Sequence, residues 1–502
     1  MVATKLGAGT SSSTQGGQAQ VKPLLESAYR SLFKHPLELS PGEHRLHRGL
    51  YLGLYLLGLV TWSFFLEFGR FELNFHDWPK EAGYFNVLQQ ALTTGQLPTH
   101  IMPYLLTERF LANPEVPLSP QVLLLNHVGY SSFVLINTLL MYSLGFLGLV
   151  ALARRVSATA FSFITLFLFF NFNGSLTSHL SVGHSMWVGY FLLPYFLLLV
   201  TDLASCETDR AWDAKLGLTL FGMLLVGAFH VVVWCSLLLG ILGLTRKSHR
   251  KPAIRALVLT GTLGAFRLFP AAIEFASSDR AFVGGFQSTW DLLEGFVALK
   301  SPILAVESRV GAPDWWEVDY YVGWIGLLFL AYYGLIYWIR NRDSGPGKAL
   351  AMLAPALVLL TVFSLDPVLR GISKFPIPLM DTERVSSRLL TLPFLFVVVF
   401  AIRGFDDWLH KTTPNSLARS FSAVALFVLA LDLWQHTRLW RIGSALEALD
   451  PSPQNIAPLI INRFDPVYSS SLWIGAALTV VSLGYSFWAL SRRRAETRQL
   501  VQ

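Results

Sequence analysis

The chain has 502 residues, of which 53% are hydrophobic and only 14% charged, with a mean hydropathy of +0.48. A soluble protein of this length needs more charge to cover its surface, and apolar runs of about 20 residues, enough to cross a bilayer, recur from end to end. The formal charge of +7 and the pI of about 9.3 do not point to nucleic acid, because the basic residues sit in short loops between apolar segments, where membrane proteins carry them to set orientation.

In chain order, residues 1–22 are polar and small, and read as a disordered cytoplasmic tail with no cleavable signal peptide. Residues 23–48 read as an interfacial amphipathic helix and a turn. Hydropathy then predicts about twelve spans: 49–67, 131–152, 157–173, 184–203, 215–230, 231–245, 254–275, 320–340, 348–365, 387–404, 418–436 and 471–491. The 215–245 stretch reads as two short helices, one long helix or a re-entrant pair. Residues 492–502 form a second tail. The predicted fold class is therefore all-α, a polytopic transmembrane domain over 49–491 with small loop helices and no large soluble domain.

With the amino terminus inside, most of the 39 Lys and Arg fall in proposed cytoplasmic segments, among them Arg154-Arg155, the run from Arg246 to Arg255, and Arg492 to Arg494. That bias places both termini in the cytoplasm, in an inner membrane. It leaves four long connections outside: 68–130, 276–319, 366–386 and 437–470. Cys206 falls in a cytoplasmic loop and Cys235 inside a helix, which argues against both a disulfide and a zinc site. No internal repeat is visible.

The first long connection opens with His76-Asp77. Residues 79–92 have helical spacing: Pro79 suits a first turn, Asp77 suits an N-cap, Tyr84, Val87, Leu88, Ala91 and Leu92 form one apolar stripe, and Gly95 ends the helix. Asp77 is thus either a helix cap or a carboxylate at the lipid–water boundary that accepts a proton from an acceptor hydroxyl. His76 orients a phosphate or is a surface residue, and Glu81, one turn on, faces the same side as Asp77.

Further along, His179 and His184 flank a span start; their spacing is not that of a helical metal pair, although a loop could bring them together. Hydrogen bonding to a donor phosphate or sugar is the reading preferred for them. Arg267 lies in an apolar span, where a charge needs a partner or a water-filled cavity; it binds phosphate, snorkels, or pairs with Glu274. Asp314, Glu317 and Asp319 surround Trp315, Trp316, Tyr320 and Tyr321, a set that suits a sugar site. The two tyrosines read as an interfacial belt and the two tryptophans as either. Arg384 and Arg388, four apart before a span, share a helix face and grip a phosphate, anchor the helix, or pair with Asp381 and Glu383. Asn173-Gly174-Ser175 fits a glycosylation pattern but sits at a span end and is taken as chance.

The order of these segments resembles a known family. "GQLPTHIMPYL" and "FLANPEVPLSP" after the first acidic residue, then "SHLSVGHSMWVGYFLLPYFLLL", "FRLFPAAIEF", "YYVGWIGLLFL" and "ERVSSRLLTLPFLFVVVFAIRGFDDW" resemble the GT-C superfamily of membrane glycosyltransferases, especially its YfhO-like branch, over roughly residues 50–410. The resemblance implies transfer of a sugar from a polyprenyl-phosphate carrier to a glycan, lipid or protein acceptor at the exterior face. It implies that Asp77 is the catalytic base or organises the site. The His-Asp-Trp-Pro start departs from the family's usual pattern and puts the role of His76 in doubt. On this reading His76, Glu81, His179, His184, Arg267, Asp314, Glu317, Arg384 and Arg388 bind substrate; no metal ligand is assigned, although a divalent cation is possible. The other readings are a transporter or flippase for lipid-linked sugars or envelope glycans, and a non-catalytic assembly partner with the same fold. Sequence leaves the sugar, the acceptor and the oligomeric state open.

Overall fold

Ser40 opens the first long helix, α1 (Pro41–Phe65): its side chain accepts the Glu43 N–H at 3.4 Å, and the Glu43 carboxylate accepts the Ser40 N–H at 2.8 Å. Lys34 pairs with the same carboxylate at 2.6 Å. Residues 41–48, expected to lie on the membrane, instead continue into α1, because this reciprocal cap starts the helix before the apolar run does. The computed structural model describes residues 26, 28–103, 107–275, 284–307, 313–372, 383–412, 414–449 and 457–501. The tail expected over 1–22 and the proposed partner Asp381 lie outside the described residues.

The next helix, α2 (Trp78–Thr94), stops at Gly95, which takes φ +68°, and buries Tyr84, Val87 and Leu88. α3 (Tyr130–Arg155) packs on α1, where the Tyr142 hydroxyl sits over Gly58 and donates to the Tyr55 carbonyl at 3.0 Å. α4 (Ala160–Phe172) and α5 (Gly174–Ser181) meet at Asn173. The Asn173 side chain accepts the Leu176 N–H at 3.2 Å and donates to the Phe169 carbonyl at 2.9 Å. That buried cap accounts for Asn173 and agrees with reading its glycosylation pattern as chance.

α6 (Ser185–Ala204) follows, and then two separate short helices, α7 (Arg210–Leu225) and α8 (Phe229–Thr245), turned at Gly227 with φ +84°. The span expected over 254–275 is not one rod. It is α9 (Lys247–Leu263) and α10 (Ala265–Glu274), bent by 80° at Gly264, with α10 laid along the last helix. α11 (Thr289–Val297) is a loop helix. The remaining apolar helices are α12 (Gly323–Arg340), α13 (Gly345–Phe363), α14 (Ser386–Thr412), α15 (Ser416–Leu439) and α16 (Pro466–Val501). α16 absorbs the tail expected from 492.

All twelve expected apolar segments are helical. Among the described residues, eight helices are long and apolar enough to cross a membrane, or nine if the bent pair is one span; α7, α8 and α13 do not meet that test. Among the described residues, sheet is confined to two-residue strands, β1 (Ile101–Met102) and β2 (Leu459–Ile460), paired antiparallel. They tie connection 68–130 to 437–470, while the bridge Gly284–Val385 ties 276–319 to 366–386. The His76 ring packs on Trp316 at 4.6 Å and joins the two pairs, so the four long connections meet at one end of the bundle. At the other end Arg155 pairs with Asp202 and Glu207, each at 2.9 Å, and Arg493 with Asp209 at 3.2 Å.

The aromatic belt expected at Tyr320 and Tyr321 is not found. Both are buried, as are Trp315 and Trp316. The Tyr320 hydroxyl donates to the Ser387 carbonyl at 3.0 Å, and the Tyr321 hydroxyl to Asp432 at 2.6 Å. These rings pack inside because the connection preceding α12 folds under α14 and α15.

Candidate active site at the loop end of the bundle

Asp77 stands at the N-cap position of α2, but its side chain makes no capping hydrogen bond. The helix-cap reading of its side chain is therefore not met. The start of α2 is held by backbone contacts instead. Asp77 N–H donates to the Val182 carbonyl at 3.2 Å, Trp78 Nε1 donates to Ser181 at 3.0 Å, and His76 Nδ1 lies 3.0 Å from the Val182 carbonyl. This approach requires Gly183, whose φ is +95° and where a Cβ would run into the Trp78 nitrogen. His76 itself adopts φ +45°, an uncommon conformation for a side chain of its size.

Freed from capping, the Asp77 carboxylate faces a polar cluster. Its Oδ2 lies 3.3 Å from His184 Nε2 and 3.1 Å from Lys80 Nζ. Lys80 reaches on to Glu115 at 3.2 Å. Glu115 approaches His230 Nε2 at 3.7 Å, and His230 Nδ1 lies 3.3 Å from Glu383, which also accepts from Trp234 Nε1 at 2.6 Å. On the other flank, His179 Nε2 is 3.4 Å from Glu317 Oε2, and Glu317 accepts two hydrogen bonds from Arg388, at 2.7 and 2.6 Å. The His179 and His184 rings are 5.0 Å apart. A buried bidentate pair such as Glu317–Arg388 fixes geometry more than it adds stability, because both ions are desolvated.

The electrostatics separate the carboxylates into roles. Burial raises the Asp77 pKa, but the hydrogen bond from His184 and the charge of Lys80 outweigh it and hold the group well below the usual carboxylate range. Glu115 is likewise held low against its burial, by Lys80 and His230, and Lys80 is held well above its ordinary value by Glu115, Asp77 and Glu81. Glu81 goes the other way: burial pushes it up to about 8. Its partner is the Ser185 hydroxyl, which donates to it. Burial lowers the His76 pKa, which keeps that imidazole neutral at pH 7.

The sequence-derived residues fall into three groups. Asp77, His76, His179, His184, Glu317 and Arg388 come together in this cluster, with Asp314 exposed at its edge. Glu81 lies directly beneath, cut off from solvent. Arg267 and Arg384 are elsewhere. Arg267 is buried and donates to the carbonyls of Asn113 and Val116 at 2.9 and 2.7 Å, so it braces the loop that carries Glu115. It does not pair with Glu274, which binds Arg109 at 2.9 Å. Arg384 is exposed and precedes the 3-10 turn Ser386–Leu390, so it shares no helix face with Arg388. The phosphate-gripping pair expected there is not formed.

Sequence reasoning gave no site role to Lys80, Glu115 and His230, and named Glu383 only as a partner for Arg384 and Arg388. Glu115 carried one readable signal, its place between two prolines in "NPEVP"; His230 carried another, a titratable residue at the start of an apolar helix. Among the described residues, two sets of side chains could hold a metal ion: His76, Asp77 and His184, and His179, His184 and Glu317, with the ligand atoms in each set within 4.8 Å of one another. Comparisons with protein-family models, curated proteins and solved structures find no match.

Proposed function

We propose that the protein is a GT-C-type membrane glycosyltransferase that moves a sugar from a polyprenyl-phosphate carrier to an envelope acceptor outside the cytoplasm. The observation that carries this reading is Asp77: a carboxylate released from helix capping, about a third exposed (34%), and held ionised at the mouth of a buried cationic and imidazole cluster. Asp77 would hydrogen-bond the acceptor hydroxyl. A carboxylate held this low is a weak base, so it takes the proton only as the acceptor oxygen bonds to the anomeric carbon and the bond to phosphate breaks. The reaction is then a single displacement with inversion. Lys80 and Arg388, the cations of the cluster, would stabilise the departing polyprenyl phosphate.

A second feature supports a lipid-borne donor. An apolar groove of about 480 Å³ runs between α1, α4 and α15, lined by Val60, Phe64, Phe68, Phe172 and Trp434 among others, and its Phe68 end lies in the connection that carries Asp77. A groove of that lining suits an isoprenoid chain. The test is Asp77→Asn, assayed in membranes for transfer from a polyprenyl-phosphate sugar. A fall in turnover on the order of 10²–10⁴-fold is expected; undiminished transfer removes the proposed role.

The 80° break between α9 and α10 favours a second reading, a flippase for lipid-linked sugars, since transporters use interrupted helices. Flux in proteoliposomes without sugar transfer would select it.

A further inference from the structure

We propose that the protein binds one divalent transition-metal ion, of the zinc class, between His179, His184 and Glu317. This inference stands apart from the transferase reading and rests on three observations.

The first is unsatisfied chemistry. His179 is buried, and neither of its ring nitrogens has a hydrogen-bond partner among the described residues; His184 is also buried and its Nδ1 has none. Orphaned polar atoms at such depth cost free energy unless something absent from the protein atoms meets them. His179 Nε2 is close to Glu317 Oε2 yet not aligned to hydrogen-bond with it.

The second is spacing. Zinc holds nitrogen and oxygen ligands at roughly 2.0–2.1 Å in a tetrahedron, whose ligand-to-ligand edges are therefore about 3.3–3.4 Å. His179 Nε2 to Glu317 Oε2 is of that length, 3.4 Å, and the ligand atoms of His179, His184 and Glu317 all lie within 4.8 Å of one another. Glu317 is further held by Arg388, and a ligating carboxylate fixed by a second hydrogen-bonded group is the usual arrangement around metals.

The third is the donor set. Two imidazoles among three protein ligands favour zinc over magnesium, which prefers oxygen. Three protein ligands leave the fourth tetrahedral position open, and Asp77, 3.3 Å from His184, flanks the set on its exposed side.

The experiment uses the full chain, purified in detergent without chelators. Metal content by mass spectrometry should approach one zinc-class ion per chain. After stripping, added Co2+ should give the visible bands of a four-coordinate site. His179→Ala and Glu317→Gln should each weaken Co2+ binding by more than about 100-fold, beyond the loss typical of removing a group that only hydrogen-bonds a ligand. Glu274→Gln, outside the cluster, should bind as wild type. Should His179→Ala fail to fold, His179→Gln and titration of wild-type protein with Co2+ alone keep the proposal testable. A monodisperse wild-type protein with no bound metal and no Co2+ bands overturns it. A bound metal without sugar transfer would overturn the transferase reading and leave the metal site standing.

Discussion

Glu81 shows how one buried side chain couples to pH. Unfolded, it titrates near 4.5; folded, near 8. Between those values the fold keeps a proton that the unfolded chain releases. Its contribution to stability is therefore greatest below about pH 4.5 and falls as pH rises towards 8. The groups facing it are Lys80 and Ser185, with Glu115 and Asp77 beyond. Glu81→Gln keeps an acceptor for Ser185 and removes the ionisation, so it should raise stability by on the order of 3–4 kcal/mol at neutral to mildly alkaline pH. Little gain is expected below about pH 4, where the wild-type carboxyl is mostly neutral in either state. A melting temperature that tracks wild type across that range would show that Glu81 is ionised in the fold. Sequence placed Glu81 on the Asp77 side of its helix but had no means to show its burial, which is set by Ser185, far away in the chain. The same limit hid the site roles of Lys80, Glu115, His230 and Glu383. Their pairings join residues 35 and 153 positions apart, and no local pattern records such a meeting.

At the scale of elements, the apolar helices were legible because hydropathy and helix length report the same requirement for crossing lipid. α2 was legible too: Pro79 near its start and Gly95 after its end are local steric signals. What hydropathy does not encode is direction. The 80° turn at Gly264 and the exposed position of Arg384 both depend on packing partners, not on composition. The seam between α2 and the turn after α5 offers a test. Gly183→Ala adds a Cβ against the Trp78 nitrogen at a φ that side chains avoid, and should cost about 1–3 kcal/mol. Since this seam sets Asp77 opposite His184, activity or ligand binding should fall more than stability alone accounts for. A variant as stable and active as wild type would show that the seam does not position Asp77.

For the whole molecule, sidedness is the property that the proposed activity needs and that charge bias predicts. The chain carries a built-in probe, since of its two cysteines Cys206 is exposed and Cys235 buried. Cys206 lies in the turn between α6 and α7, beside Asp202 and Glu207, at the end of the bundle opposite the cluster. A membrane-impermeant maleimide should label it in inverted vesicles and spare it in intact cells. The reverse pattern would put Asp77 in the cytoplasm and end the proposal of an exterior transferase.

The cluster draws on segments from Asp77 to Arg388, and this has a consequence for how the protein is made. During synthesis the first charges enter the membrane region long before the last of their counter-charges exist. At roughly 5–20 residues per second, the interval between Lys80 or Glu115 and the arrival of Glu383 and Arg388 is some tens of seconds. Through that interval Lys80 has Asp77 and Glu115, while His230 and Glu317 wait for the segment that brings Glu383 and Arg388. A nascent chain halted before α14 is thus marked by its own unmet charges, a chemical signature by which quality control could tell an unfinished copy from a finished one.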